Sequence, residues 1–226
     1  MVDALIVGGI IIFICCCFCL FCLVLGGGGG ALVISNPRLT GQKIQEDPLE
    51  VGTNSSVIKF STNPPAPATM AYTMTMDIFV EKAGDPAKNQ GWREIMANYG
   101  PETFARKPWV NIAPGTSLTL ETGHATNIAG VNPAISFTNV NMSYGKWFTL
   151  TWTVNTILFT VYVNGAKVGS RPYSTSDGIP NWPSTFNWHW NNVPAGNNGS
   201  VKVANVYFWP SLLPEDTISN LKPLAK

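Results

Sequence analysis

Two apolar runs meeting at Asn164-Gly165 set the strongest limit on how this chain folds. Trp147 to Val154 (WFTLTWTV) puts Phe148, Leu150, Trp152 and Val154 on one side and Thr149, Thr151 and Thr153 on the other. A period of two is that of a strand with one apolar face. After Asn155-Thr156 the run resumes from Ile157 to Val163 (ILFTVYV). Asn-Gly suits a type I′ turn, whose two central positions both need positive φ, so Ala166 to Gly169 is expected to begin a return strand. Tyr72 to Val80 is another strand-like run, and breakers such as Asn63-Pro-Pro-Ala-Pro67 separate the segments. Such a series indicates an all-β antiparallel sandwich. One short helix is expected after it, over Pro214 to Leu221.

The beginning of the chain differs in kind. Ala4 to Leu25 carries no charged side chain, and at about 1.5 Å per helical residue such a run spans the roughly 30 Å apolar layer of a bilayer. A cleaved leader would open on basic residues, keep a shorter apolar core and end at a small-residue site. Asp3 is the only charge ahead of this run, so a retained single transmembrane helix is expected, with the lipid bilayer as the partner of residues 4–25. The domain plan is then an anchor over 1–25, a glycine-rich joint and tether over 26–55, and a folded domain over 56–226. Within the tether, the stretch up to about residue 50 reads as either a linker or an edge segment of the domain.

Arg38 and Lys43 follow the span and no cation precedes it, which by the excess of cytoplasmic cations places the C-terminal domain on the cytoplasmic side. All five cysteines (Cys15, Cys16, Cys17, Cys19 and Cys22) lie in the apolar run. The domain is therefore built without disulfides. The net charge is +1 with no basic cluster, so no nucleic-acid partner is expected.

Resemblance adds a family. Gly145-Lys-Trp-Phe-Thr-Leu-Thr-Trp152, followed by Phe159-Thr-Val-Tyr-Val-Asn-Gly-Ala-Lys-Val168, resembles the central hairpin of laminin-G-like domains. The segment from Gly199 through Val206-Tyr-Phe-Trp209 to Leu221 is similar to their closing strand and the helical turn after it. The resemblance covers roughly Val57 to Leu221 and implies a concanavalin A-like lectin/glucanase jelly roll. One departure is Phe186-Asn-Trp-His-Trp-Asn191, where the family often has a glycine-containing strand.

Glycoside hydrolysis needs two carboxylates at fixed separation, and the glucanase branch supplies them at alternate positions of one strand. Here Glu81, Asp85, Glu94, Glu102, Glu121 and Asp177 are scattered, and His124 and His189 lack motif context. No catalytic residue is assigned and no enzyme is expected. Asp85 and Asp177, with Asn89 and Asn181, are loop candidates for calcium, but such residues are ordinary turn formers. Neither a metal site nor a cofactor is assigned.

The 186–191 segment alternates Phe186, Trp188 and Trp190 with Asn187, His189 and Asn191. The aromatics are expected to fill the core, and the polar row Asn187, His189 and Asn191 is the candidate ligand-binding surface. Sequons at Asn54, Asn141 and Asn198 are about as many as chance gives, and on the cytoplasmic side they would stay bare. One membrane helix, a glycine joint and a jelly roll resemble, in layout, the minor capsid proteins that tie the internal membrane of large icosahedral DNA viruses to the capsid. That resemblance implies a non-enzymatic structural protein docking on other proteins, capsid proteins among them, and a place in the virion internal membrane. The alternative is a membrane-anchored, glycan-binding lectin-like protein.

Overall fold

Tyr72 to Val80 forms a strand in which every second side chain is apolar and fully buried: Tyr72, Met74, Met76, Ile78 and Val80. The structure, a computed structural model, describes residues 36–51, 58–59, 67–83, 93–99, 106–113, 116–124, 126, 133–178, 180, 187–190 and 200–224. Residues 4–25, expected as the membrane helix, and the glycines at 26–30 lie outside the described residues. Among the described residues, no helix is long and apolar enough to cross a membrane.

In chain order the strands are β1 (Gln42–Gln45), β2 (Leu49–Val51), β3 (Ile58–Lys59), β4 (Tyr72–Val80), β5 (Arg93–Tyr99), β6 (Arg106–Ile112), β7 (Thr119–Gly123), β8 (Ala134–Thr138), β9 (Trp147–Val154), β10 (Leu158–Val163), β11 (Ala166–Pro172), β12 (Asn187–Trp190) and β13 (Val201–Trp209). They make two antiparallel sheets. One has the order β1-β13-β4-β9-β10-β11, with β2 also on β13, and the other β3-β12-β5-β6-β7-β8. The sheets enclose one apolar cluster. Met74, Met76, Leu150, Trp152, Val161 and Phe208 enter it from the first sheet, and Met96, Val110, Ile112, Leu120 and Phe137 from the second. Each large side chain buried in this way contributes roughly 1.5–3 kcal/mol. The result is an antiparallel, jelly-roll-like sandwich.

The hairpin read from the sequence is present. Val161 lies opposite Trp152 and Tyr162 opposite Thr151, and Asn164 and Gly165 turn the chain at φ of 50° and 77°. Asn164 also fastens the turn to β9, its side-chain oxygen accepting from the Thr149 amide at 2.8 Å. The short helix is α1 (Glu215–Ser219). Ile218 and Leu221 pack with Tyr162 in a small apolar cluster of their own. The Tyr162 hydroxyl donates to Glu215 Oε1 at 3.1 Å, and its pKa is pushed up to about 12, first by burial and then by that carboxylate.

Two features differ from the sequence reading. The compact unit starts at Asn36 rather than at 56. Of the two readings of the stretch before residue 50, edge segment is the one seen: a 3-10 turn (Pro37–Thr40) leads into β1 and β2, which pair with opposite halves of β13. The second difference is the threonine side of β9. Alternation alone would give it to water, yet Thr149 and Thr151 are fully buried, as are Thr73, Thr75 and Asp77 beside them on β4. Chain from both ends of the domain covers this outer face. Thr73 donates to the Ser211 carbonyl and accepts from the Leu213 amide, while Arg38 reaches in from the 3-10 turn.

Candidate functional site

The outer face of the first sheet is organised in rows across β13, β4 and β9, and adjacent rows have opposite fates. One row holds Ala204, Asp77 and Thr149, the register partners of those strands. Asp77 is wholly buried. Its Oδ1 accepts from Arg38 Nη2 at 2.8 Å and from the Thr149 hydroxyl at 2.7 Å. Its Oδ2 accepts from Asn205 Nδ2 at 2.8 Å and from the Leu224 amide at 2.9 Å. A bulge in β13 makes this possible. The register shifts between Ala204 and Tyr207, and Asn205 takes a φ of 50°, which turns its amide under the sheet toward the carboxylate. Arg38 itself is 2% exposed. Two ions taken from water at such cost need a full set of hydrogen bonds, and the carboxylate has them. This is a structural lock with no room for a ligand.

The next row along is open. Lys202 of β13 lies opposite Phe79 of β4, and Phe79 opposite Trp147 of β9. The two rings are 5.5 Å apart at 45°, and the Lys202 ammonium stands 5.9 Å from the Phe79 centroid, within range of a cation–π contact. Pro48, Gly145, Lys146 and Pro223 complete a cleft of about 560 Å³ around them. A turn fixes one wall: the Gly145 amide donates to the Val80 carbonyl at 2.8 Å, and Gly145 takes a φ of 69°. The cleft therefore offers an aromatic platform with two lysines at its margin. Its volume is that of a small-ligand site.

The sequence-predicted polar row is placed only in part. Asn187 and His189 lie on β12, which pairs with β3 on one side and β5 on the other, with His189 opposite Lys59 and Ala97. Their side chains, and Asn191 altogether, lie outside the described residues, as do Asp85, Asn89 and Asn181. The row belongs to the second sheet, whereas the aromatic cleft belongs to the first. Asp177 is occupied by its own turn: it accepts from the Ser174 amide and hydroxyl at 2.9 and 2.8 Å and faces Arg171 at 3.3 Å. Those Ser174 bonds hold its pKa down. Glu81 accepts from the Ser200 amide and Glu121 from the Ser136 hydroxyl, while the Glu94 side chain and Glu102 lie outside the described residues. His124 is buried against Tyr72, ring centroids 5.8 Å apart. Among the described residues, no group of three or more His, Cys, Asp or Glu side chains is placed to hold a metal ion.

Sequence reasoning missed the cleft. Phe79 and Trp147 stand 68 positions apart, and only the register of β4 against β9 makes them neighbours. The available signal was that each is an aromatic on the otherwise polar side of its strand.

No protein-family model and no curated protein matches the chain. Solved structures do share its fold. The botulinum neurotoxin serotype D binding domain superposes with a TM-score of 0.60 at 13% identity, over 79% of this chain and 44% of that one. The serotype D ligand-binding domain in complex with N-acetylneuraminic acid gives 0.61 at 14%, over 79% and 43%. The binding domain of botulinum neurotoxin DC in complex with SialylT gives 0.58 at 16%, over 79% and 44%. What these structures share with the chain is the fold, an antiparallel jelly-roll-like sandwich. The chain spans less than half the length of each of these proteins.

Proposed function

We propose that this chain is a non-catalytic binding protein whose jelly roll recognises a carbohydrate in the Phe79–Trp147 cleft. The observation that carries this reading is the open row itself. On a sheet face otherwise covered by the chain's own ends, two adjacent rings and two lysines are left to line a cleft. Aromatic faces suit the apolar face of a sugar ring, and ammonium donors suit its oxygens. The fold supports the class, since proteins that share it include binding domains solved with N-acetylneuraminic acid and with SialylT. A catalytic role has no comparable support. The buried Asp77 is saturated by four donors, and Glu81 and Glu121 serve separate strands.

A glycan array probed with the full-length chain tests this. Trp147→Ala is expected to lower binding about tenfold or more, by loss of a stacked platform. His189→Ala is expected to leave it unchanged. Binding lost with His189→Ala and retained in Trp147→Ala would move the site to the Asn187, His189 and Asn191 row of β12.

The anchored form of the reading, with residues 4–25 in a bilayer, rests on the sequence alone, as does the capsid-docking version in which the ligand is a protein. Arg38, one of the two cations that favoured a cytoplasmic domain, has a separate structural reason to be there, its ion pair with Asp77. The full-length chain is expected to stay with membranes on alkaline extraction, and the exposed Asn141 to remain bare if the domain is cytoplasmic. Release into the supernatant would remove the anchor, and a glycan on Asn141 would reverse the topology.

A further inference from the structure

We infer that the saccharide this cleft takes is an acidic one, whose carboxylate or sulfate sits between Lys146 and Lys202 while its ring lies on Phe79 and Trp147. The inference rests on the carbohydrate reading above and adds the ligand's charge. Among the described residues lining the cleft there are two lysines and no carboxylate. The acidic groups nearest along the strands do not line it. Asp77, two positions from Phe79 on the same face of β4, is buried and neutralised by Arg38 at 2.8 Å. Glu81 receives the Ser200 amide at 2.7 Å. Glu50 stands across from Lys202 on β2 but does not line the cleft.

The two cations come from independent pieces of backbone. Lys202 is held by β13, with its ammonium above the Phe79 ring. Lys146 follows the Gly145 turn, whose amide is bonded to the Val80 carbonyl. A neutral sugar offers the two ammonium groups only hydroxyl oxygens, whereas an acidic one adds a charge of opposite sign. Because the site is open, salt screens the charge term, so it selects among sugars and does not dominate affinity. Each lysine is expected to contribute roughly two- to fivefold, the range of solvent-exposed ion pairs.

The experiment titrates the full-length chain by calorimetry with lactose, sialyllactose, sialyllactose methyl ester and sulfated lactose. The expected result is that the two acidic sugars bind several-fold more tightly than lactose and that the methyl ester falls back to the lactose value. In the Lys146→Gln, Lys202→Gln double variant the difference between acidic and neutral sugars is expected to vanish, whatever the change in lactose binding itself. Raising the salt concentration is expected to shrink that difference in the wild type. Equal binding of lactose and the acidic sugars would overturn the charge inference and leave the carbohydrate reading standing. Binding of none of them would overturn both. Capture by phosphatidylserine vesicles without sugar binding, lost in the double variant, would assign the lysines to a lipid surface instead.

Discussion

Asp77→Ala is expected to lower the stability of the domain by about 3–5 kcal/mol, the cost of removing one partner from a buried ion pair. The physical reason is what remains behind. Arg38 is 2% exposed, and without Asp77 its charge stays under the sheet beside the Thr149 hydroxyl at 3.4 Å and the Tyr207 ring at 5.9 Å, neither of which carries a negative charge. The Asn205 amide and the Leu224 backbone lose their acceptor in the same stroke. Such a loss is a large part of the 5–15 kcal/mol that domains commonly have. Denaturant titration checks it as a fall in midpoint at unchanged slope. Arg38→Met combined with Asp77→Leu should recover only the part of the loss that comes from the stranded Arg38 charge, because the Asn205 and Leu224 donors still lack their acceptor. A single Asp77→Ala variant within about 1 kcal/mol of the parent would show that this network does not hold the chain ends.

Gly165→Val should destabilise by about 2–6 kcal/mol, for two reasons that add. At a φ of 77° a β-branched residue is strained by roughly 1–3 kcal/mol. A Cβ at this position would also stand 2.5 Å from the Ser219 carbonyl oxygen and 2.9 Å from that of Ile218, so the turn and α1 cannot both keep their places. Overpacking of this kind typically costs a further 1–3 kcal/mol. Thermal melting of Gly165→Val beside Gly165→Ala separates the two, since the clash begins at the first carbon and branching adds to the strain. An unchanged melting temperature in both would mean that neither the turn nor its contact with α1 supports the fold.

The hairpin was legible in the sequence because everything that defines it is local: a period of two, and an Asn-Gly pair that closes it. The outer face was not. Alternation separates apolar from polar side chains, but it cannot tell a threonine facing water from one covered by another part of the chain. Thr149, Thr151 and Thr73 look like a solvated row until Arg38 and the 211–224 segment are laid across them. Arg38 was read as a cation flanking a membrane span because its partner Asp77 lies 39 positions away, beyond the reach of any periodicity. The candidate cleft was hidden for the same reason. Phe79 belongs to an apolar run and Trp147 opens a strand, and their meeting depends on which residues of β4 and β9 face each other. The alternation of the 186–191 segment has the period of a strand, and the structure sets one at Asn187–Trp190 between β3 and β5.

The bulged strand β13 has a consequence for how the protein is made. It is the last strand among the described residues, yet it sits inside its sheet, with β4 on one side and β1 and β2 on the other. A ribosome therefore delivers β4, β9 and β10 while the place beside β4 is still vacant, and the lock at Asp77 closes only after Asn205 and Leu224 have emerged. Native pairing across such sequence distance is slow to form. Until then an unpaired strand edge and the inner face of the sheet stay open to aggregation and to chaperones. A chain broken off before Val201 carries that defect permanently.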